Sequence, residues 1–328
     1  MKDQYRPRGT TMSRTVVAYG EILWDLLPSG AVLGGAPFNF VYRVNSLGHR
    51  GVMVSRLGGD DLGKRALEIV EELGLETAFL QRDPKHPTGT VEVSFDERKN
   101  PEYRIIPGVA YDFIEPTENL QELVAGAECL CYGTLIQRQA GSRGTLYRLL
   151  DGFTGRFALL DINLRPDCYT RESVLESIRR ANILKLNDGE AEFLAEICAV
   201  RQGEAGLDPG CFCDALFARS DLRYIVLTLG ERGAFAASRD GQKVYHPAFS
   251  VQLRDPVGAG DAFTAGFLDA LLNEKTLAEA CRFASAAGAL VAAQEGATQP
   301  LDRAQIEAFL GGAELNTVEA DYRRYLLS

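Results

Sequence analysis

The segment DPVGAGDAFTAGFLDALL, residues 255–272, places three small residues directly before an amphipathic helix. Gly258, Ala259 and Gly260 leave backbone N–H groups uncovered at the helix N-terminus, where the helix dipole also favours a negative charge. Asp261 follows in the first helical turn, a position where a carboxylate is often only a helix cap. Beside an anion hole, it indicates instead a general base held against a group that accepts a phosphoryl.

Around this segment, short apolar runs alternate with patterns of helical period. Such alternation predicts an α/β fold in which helices cover both faces of a mostly parallel sheet. The predicted strands are 15–20, 51–56, 128–132, 157–162, 182–186, 223–228, 234–238 and 243–246. The predicted helices are 36–47, 61–74, 139–151, 171–180, 188–197, 260–272, 277–293 and 302–310.

Residues 90–107 have a different pattern. TVEVSFD and EYRIIP flank DERKN with alternating apolar and polar residues, which predicts an antiparallel hairpin. Residues 22–34 also lack a helical period, and we expect them to join the hairpin. The predicted organisation is a flexible extension at 1–14, one domain at 15–312 with a lid from about 22–34 and 88–110, and a helical tail at 313–328.

The bulk composition disfavours several classes of protein. A net charge of −10 over 328 residues is unlike that of a sequence-independent nucleic-acid binder, which needs clustered Lys and Arg. The same charge disfavours a general anionic-membrane partner. No apolar run reaches 18 residues, so we expect no transmembrane helix. The N-terminus lacks the apolar core of a secretory signal.

Seven cysteines, an odd number, favour free thiols in a reducing cytoplasm over a disulfide framework. Two C-x-C pairs, Cys129/Cys131 and Cys211/Cys213, raise the question of a zinc site. The C-x₂-C spacing of common zinc sites is absent, however, and Cys129 and Cys131 lie in the apolar run CLCY. We therefore expect core thiols here rather than metal ligands.

The common phosphate-binding motifs are absent. The chain has no G-x-x-x-x-G-K-[ST], and no G-x-G-x-x-G follows the first strand. The first strand leads instead to Asp25 and then to GGAPFN, which contains Gly34, Gly35 and Asn39. A carboxylate, two bare amides and a carboxamide can bind a polyol, although the same residues are common in ordinary turns.

Seven segments, in order over about residues 15–310, resemble the motifs of the ribokinase (PfkB-type) family of carbohydrate kinases, and within it most resemble fructokinases. They are GEILWD (20–25), GGAPFN (34–39), the G-x-D-x-x-G of Gly58, Asp60 and Gly63, DINLRP (161–166), KLNDGE (185–190), TLGERG (228–233) and DPVGAGD (255–261). The resemblance implies a ribokinase-like three-layer α/β/α fold, with a small β-sheet lid over the sugar.

The resemblance also implies roles for individual residues. Asp261 matches the catalytic base, and Gly258, Ala259 and Gly260 match the anion hole. The implied sugar contacts are Asp25, Gly34, Gly35, Asn39 and Arg165. The residues implied near ATP and Mg²⁺ are Asn187, Glu190, Thr228, Gly230, Gly233 and Ser285, with Glu190 acting on the metal indirectly. Backbone carbonyls of Asp255 and Val257 are candidates for binding K⁺.

Two positions depart from the family pattern. Pro256 follows Asp255 where Thr is common, and because Pro cannot donate a backbone hydrogen bond, we expect this turn to differ locally. Ser285 stands where many relatives have Asn near the adenine, so the nucleotide preference is open.

The expected function is ATP-dependent transfer of the γ-phosphoryl to a primary hydroxyl of a small sugar, with D-fructose favoured by GEILWDLLP, GGAP and DINLRP. Alternatives within the family are 2-keto-3-deoxygluconate, ribose, a nucleoside or a phosphosugar. A phosphosugar needs a further cationic pocket, for which Arg56, Arg104 and Arg165 are candidates. A rival from another class is a catalytically silent sugar-sensing protein on the same fold, which would not need Asp261.

The resemblance also suggests a homodimer, because lids in this family often pair. The residues that could supply its apolar edge are Trp24, Leu26, Leu27 and Val32.

Overall fold

Two separate β-sheets organise the chain in the computed structural model, which describes residues 13–28, 30–95, 101–200, 207–318 and 320–326. The strands are β1 Thr15–Tyr19, β2 Leu23–Leu27, β3 Gly30–Gly34, β4 Arg50–Gly58, β5 Leu80–Asp83, β6 Gly89–Phe95, β7 Pro101–Ile105, β8 Cys129–Tyr132, β9 Phe157–Asp161, β10 Ile183–Asn187, β11 Tyr224–Thr228, β12 Ala234–Ser238 and β13 Lys243–His246. The α-helices are α1 Ala36–Ser46, α2 Asp61–Glu72, α3 Glu118–Ala125, α4 Ala140–Asp151, α5 Arg171–Arg180, α6 Asp188–Ile197, α7 Pro209–Phe217, α8 Ala259–Leu272, α9 Leu277–Ala292 and α10 Arg303–Leu310.

The larger sheet has the strand order β13-β12-β11-β10-β9-β8-β1-β4-β5. Neighbouring strands from β11 to β5 are parallel, whereas β12 and β13 pair antiparallel at one edge. Alternate residues of β1 enter different apolar clusters, with Val16 on the side of α8 and α9 and Val17 on the side of α4 and α6. Helices therefore cover both faces, which confirms the predicted three-layer, mostly parallel fold.

The smaller sheet has the order β3-β2-β6-β7. Strand β2 pairs antiparallel with β3 and parallel with β6, and β6 pairs antiparallel with β7. The predicted hairpin at 90–107 and its extension by residues 22–34 are confirmed. The turn at 96–100 lies outside the described residues. The division of the chain into domains stays a prediction.

Trp24 does not belong to an apolar outer edge of the smaller sheet, so that expectation is wrong. Its side chain is 1% exposed, and its Nε1–H donates to the carbonyl oxygen of Leu62 at 3.1 Å. The guanidinium of Arg65 covers the indole at 5.1 Å. Helix α2 therefore takes the indole into the core, while Val32, on the neighbouring strand, remains 50% exposed.

Three short elements, β5, α3 and α7, are not among those predicted. The sequence of β5 is LQRD, in which polar residues obscure the strand pattern. Side-chain caps open the two helices: Thr117 accepts from Leu120 N–H, and Asp208 accepts from Cys211 N–H. Such short helices depend on caps and tertiary packing more than on apolar periodicity.

The seven cysteines are free thiols. Cys129, Cys131 and Cys213 are buried, whereas Cys211 is exposed on α7. In the C-terminal tail the structure contains a 3₁₀ helix at Ala320–Tyr325. Among the described residues, no helix is both long enough and apolar enough to cross a bilayer.

A buried polar cluster joins α8 and α10 to the turn before β4. Asp269 on α8 contacts His49 Nε2 at 2.9 Å and also pairs with Arg303. The backbone N–H of Arg14 donates to His49 Nδ1, so Nε2 carries the proton and donates to Asp269. Both Asp269 and His49 are almost fully buried. This cluster is therefore an internal tie between elements far apart in the chain.

We expect Asp269→Ala to lower the free energy of unfolding by about 3–5 kcal/mol, because it leaves buried donors without an acceptor. The control is Glu76→Ala, which removes an exposed partner of Arg50 and should cost less than about 1 kcal/mol. Urea unfolding followed by circular dichroism measures both. Equal losses in the two variants would show that the cluster contributes no more than a surface pair.

Candidate active site

The turn that opens α8 exposes backbone amides at the edge of the larger sheet where its parallel strands end. Gly258 precedes α8 with φ 79° and gives no side-chain cap. The Ala259 N–H donates to the Pro256 carbonyl oxygen at 3.2 Å, while the N–H groups of Gly258 and Gly260 have no partner within the described residues. Of the three amides in the predicted anion hole, those of Gly258 and Gly260 can therefore bind an anion.

Asp261, in the first turn of α8, contacts helix α1 through Asn39. The Asn39 Nδ2–H donates to Asp261 Oδ2 at 2.8 Å, and Asn39 Oδ1 is a buried acceptor with no partner among the described residues. Burial raises the pKa of Asp261 to about 7, and the nearby Asp161 carboxylate adds to the effect. The Asn39 hydrogen bond and the charges of Lys185 and Arg165 oppose that shift.

The structure brings the other predicted sugar residues to the same place. A Cβ added at Gly34 would lie 3.1 Å from Asp25 Oδ2, because β2 and β3 pair here. Gly35 has φ 122°, and a Cβ there would lie 2.5 Å from the Glu21 carbonyl oxygen. Burial raises the pKa of Asp25, and the charge of the exposed Arg165 opposes the shift. Asn39 thus contacts Asp261 directly, and the Arg165 guanidinium acts electrostatically on both Asp25 and Asp261.

Two of the three arginines considered for a phosphosugar are engaged elsewhere. Arg56 is buried and pairs with Asp83 at 2.8 Å and Glu115 at 2.9 Å. The exposed Arg104 lies 3.9 Å from Glu92 on the hairpin of β6 and β7. Of the three, Arg165 alone acts electrostatically on Asp25 and Asp261.

Sequence reasoning missed a buried network behind the anion hole. Lys185 Nζ donates to Asp161 Oδ1 at 3.1 Å and lies 3.3 Å from the position of a Cβ at Gly260. The Thr264 hydroxyl donates to Asp161 Oδ2 at 2.9 Å. Burial lowers the pKa of Lys185, but the carboxylates of Asp161, Glu190 and Asp261 outweigh it and leave that pKa raised. A lone lysine inside the apolar strand ILKLN was the available signal.

Glu21 is a second residue that sequence reasoning missed. It lies between β1 and β2 and is 4% exposed. Burial raises its pKa to about 7, against the opposing charge of Arg165. An acidic residue directly after an apolar strand, in GEILWD, was the signal.

Asn187 and Glu190 form a capping box at the start of α6. Asn187 Oδ1 accepts from Glu190 N–H at 2.9 Å, and Glu190 Oε2 accepts from Asn187 N–H at 2.8 Å. The other oxygen of Glu190 accepts from Leu164 N–H at 2.8 Å, which ties α6 to the segment after β9. Each carboxylate oxygen keeps one lone pair. Both oxygens of Glu190 therefore keep capacity to accept one further contact.

The remaining predicted nucleotide residues lie on adjacent elements. Thr228 ends β11 in register with Asn187 of β10. Gly230 and Gly233, with φ 59° and 104°, form the turn between β11 and β12, where a Cβ at Gly233 would lie 2.1 Å from the His246 carbonyl oxygen. Ser285 is buried on α9, one turn before Gly288, whose backbone approaches the Ala259 carbonyl oxygen.

Asp255 links the turn before α8 to the turn after α9. Its Oδ1 accepts from Val257 N–H and its Oδ2 from Gly296 N–H, both at 3.0 Å. The turn that contains Pro256 is closed by the Pro256 carbonyl oxygen, which accepts from the Ala259 N–H. The backbone carbonyls of Asp255 and Val257 accept no hydrogen bond within the described residues. No group of three or more His, Cys, Asp or Glu side chains in that part of the chain could hold a metal ion.

Comparison with known proteins gives one consistent family. A family model described as pfkB family carbohydrate kinase matches residues 30–304. Fructokinase-1 of Zea mays is 28% identical over 315 residues, covering 87% of this chain and 94% of the relative.

Solved structures share the fold. Fructokinase of Xylella fastidiosa with bound ATP superposes with a TM-score of 0.78 at 21% identity, covering 92% of this chain and 99% of that one. A fructokinase double mutant of Vibrio cholerae O395, bound to fructose, ADP and potassium ion, gives 0.75 at 25% identity and covers 92% and 100%. A 2-dehydro-3-deoxygluconokinase of Thermotoga maritima gives 0.77 at 18% identity and covers 93% and 100%.

The raised pKa of Asp261 predicts a pH-dependent cost in stability. Between its ordinary pKa of 3.8 and about 7, the unfolded chain releases this proton while the folded chain keeps it, so stability falls as the pH rises. At pH 8 the free energy of unfolding of Asp261→Asn should therefore exceed that of the wild type by about 1 kcal/mol or more, with a smaller difference at pH 5. Urea unfolding at the two pH values measures both. The control is Asp61→Asn in the first turn of α2, where the carboxylate is exposed. A gap independent of pH would contradict a raised pKa.

Proposed function

The chain belongs to the pfkB family of carbohydrate kinases and is an ATP-dependent sugar kinase, and we propose that its acceptor is a primary hydroxyl of D-fructose. The observation that carries this proposal is the contact between Asn39 and Asp261 beside the uncovered amides of Gly258 and Gly260. A base, an unsatisfied carboxamide oxygen and two uncovered amides then lie at neighbouring positions. That arrangement suits a hydroxyl that loses a proton while it receives a phosphoryl.

In the proposed mechanism, Asp261 accepts the hydroxyl proton as the oxygen attacks the γ-phosphorus of ATP in line with the leaving ADP oxygen. A base with a pKa near neutrality can both hold and release a proton at physiological pH. The amides of Gly258 and Gly260, with the Lys185 ammonium close to Gly260, stabilise the charge on the transferring group. Asp161 holds Lys185 in place.

We also propose that Mg²⁺ accompanies ATP. Mg²⁺ usually binds through one or two carboxylates together with phosphate oxygens and water, so the lack of a three-carboxylate cluster in the described residues fits this role. Asp161 and Glu190, each close enough to Lys185 to raise its pKa, are the carboxylates available on this side. The ion would neutralise charge on the phosphates. K⁺, which the Vibrio fructokinase contains, would suit the unoccupied carbonyls of Asp255 and Val257.

In this proposal Asp25, Gly34, Gly35, Asn39 and Arg165 bind the acceptor sugar, supported by the contact of Asn39 with Asp261 and by the charge of Arg165 on both Asp25 and Asp261. Fructokinases among the relatives and structural neighbours favour fructose. The principal alternative is 2-dehydro-3-deoxygluconate, which is another name for 2-keto-3-deoxygluconate. A kinase for that sugar has the same fold, and Arg165 suits its carboxylate. A phosphosugar is less favoured since Arg56 is already paired with two carboxylates.

The nucleotide is assigned to the neighbouring strand ends. In this proposal Asn187, Thr228, Gly230 and Gly233 border the phosphates and ribose, and Ser285 lies on the adenine side.

We further propose a cytoplasmic protein, consistent with its free thiols, and a homodimer through the smaller sheet, where Val32 is exposed. Analytical ultracentrifugation of the wild type and Val32→Glu tests the dimer.

An ATP-consumption assay over a panel of sugars tests the acceptor. We expect kcat/KM for D-fructose to exceed the values for fructose 6-phosphate, ribose and 2-dehydro-3-deoxygluconate by at least about tenfold, the equivalent of one good hydrogen bond. A panel led by another acceptor would overturn the assignment to fructose and leave the kinase intact. Sugar binding by calorimetry with no ATP consumption would favour a sensor.

Asp261→Asn tests the base. The carboxamide retains the shape of the side chain, so we expect kcat to fall about 10²–10⁴-fold with a small change in sugar KM. The wild-type kcat/KM should fall as the pH drops below about 7, where Asp261 becomes protonated, and the variant should lose this dependence. Asp61→Asn, an exposed first-turn aspartate on α2, is the matched control. A variant that keeps more than about a tenth of the wild-type kcat would show that Asp261 is a helix cap.

A further inference from the structure

Arg43 is a buried cation without a carboxylate partner among the described residues. It lies on α1, one turn after Asn39, and is 1% exposed. Its guanidinium donates to the carbonyl oxygens of Ala297 and Gln299 at 3.1 Å and of Leu301 at 3.2 Å. Burial lowers its pKa to about 10, which still leaves it charged at neutral pH.

A buried charge of this kind is costly unless its donors are satisfied. Here the acceptors are three carbonyl oxygens of one segment, residues 296–301, which connects α9 to α10 without a helix or strand of its own. The planar guanidinium spreads its donors over separate nitrogens and so reaches alternate carbonyls, whereas an ammonium carries its three donors on one nitrogen. Arg43 therefore fixes the path of this segment from inside the protein.

The same segment forms the wall behind the anion hole. A Cβ added at Gly258 would lie 2.4 Å from the Cβ and 2.8 Å from the Cα of Ala297. Asp255 accepts the N–H of Gly296, which holds the segment to the turn before α8. The carbonyl of Ala297 is the group that Arg43 holds on the inner side. Any shift of Ala297 would thus be transmitted to the amides of Gly258 and Gly260.

Helix α1 consequently contacts both halves of the candidate catalytic centre. Asn39 bonds to the base, and Arg43, one turn further, bonds to the segment that supports the anion hole. Catalysis requires these two halves to be aligned, and a misplacement of about 1 Å can cost two orders of magnitude in rate.

We propose that Arg43 is a positioning residue for phosphoryl transfer: by holding residues 297–301 against Gly258, it sets the anion hole relative to Asp261. This inference rests on the proposed role of Gly258 and Gly260 as the anion hole. It assigns a catalytic consequence to a side chain that touches neither sugar nor nucleotide.

The first test compares Arg43→Met with the wild type, using the sugar that the wild type turns over best. At a temperature where circular dichroism shows both to be folded, we expect kcat to fall roughly tenfold or more, with sugar KM changed less than about threefold. The control is Arg303→Met, which removes another arginine that bonds to a backbone carbonyl, at Leu47, and to Asp269. That variant should lose stability but keep its kcat.

The second test is chemical rescue. Arg43→Ala leaves a space lined by the three carbonyls, and millimolar guanidinium chloride should restore part of kcat, whereas equal sodium chloride or urea should not. Restoration by sodium chloride as well, or by none of the three, would contradict the need for a guanidinium at this place.

The third test leaves Arg43 intact and stays informative if both Arg43 variants fail to fold. Ala297→Gly removes the Cβ that contacts Gly258 and should lower kcat by about threefold or more. If Arg43→Met and Ala297→Gly both keep kcat within about twofold, the inference is wrong although the kinase stands. A wild type that consumes ATP with no sugar overturns the proposed function itself.

Discussion

The hydrogen bond between Asn39 and Asp261 joins two helices whose N-termini lack side-chain caps. Gly35 and Gly258 precede α1 and α8 at positive φ, and neither provides a capping side chain. Helices α2, α3, α5, α6, α7, α9 and α10 are capped by Asp, Thr or Asn side chains, and α4, which follows Gln139, is the remaining helix of the described residues without a side-chain cap. A capping side chain at α8 would occupy the amides that an anion needs. The candidate site therefore depends on two helix N-termini whose backbone N–H groups are not capped by a side chain.

Burial around these helix ends creates an electrostatic balance. Burial raises the pKa of Asp261 and of Glu21 to about 7. The two oxygens of Asp161 accept hydrogen bonds from Lys185 and Thr264. The ammonium of Lys185 and the guanidinium of Arg165 both lower the pKa of Asp261, and Arg165 also lowers that of Glu21, against the effect of burial. A negatively charged nucleotide entering this space would meet the Lys185 ammonium, which Asp161 already holds in position, so little reorganisation of that cation would accompany its arrival.

Much of the fold could be predicted from the sequence because its determinants are local. Apolar runs gave the parallel strands, and the alternating pattern at 90–107 gave the second sheet. Of the predicted site residues, Asn39 contacts Asp261 and Gly34 lies against Asp25. The partners Lys185–Asp161, Thr264–Asp161 and Arg43–Leu301 are 24, 103 and 258 residues apart, so no local spacing could reveal them. The burial of Trp24 likewise depended on α2, which a strand pattern alone does not place.

Gly35, the single residue between β3 and α1, couples the strands proposed to bind the sugar to the helix that contacts the proposed base. Strand β3 ends at Gly34 and α1 begins at Ala36, so only Gly35 separates the smaller sheet, which carries Asp25, from the helix that carries Asn39. A substitution that reshapes β2 or β3 for a new sugar would shift the start of α1 as well. Changes in specificity should therefore arise more readily at Arg165, which lies on a separate segment, than on the strands next to Gly35.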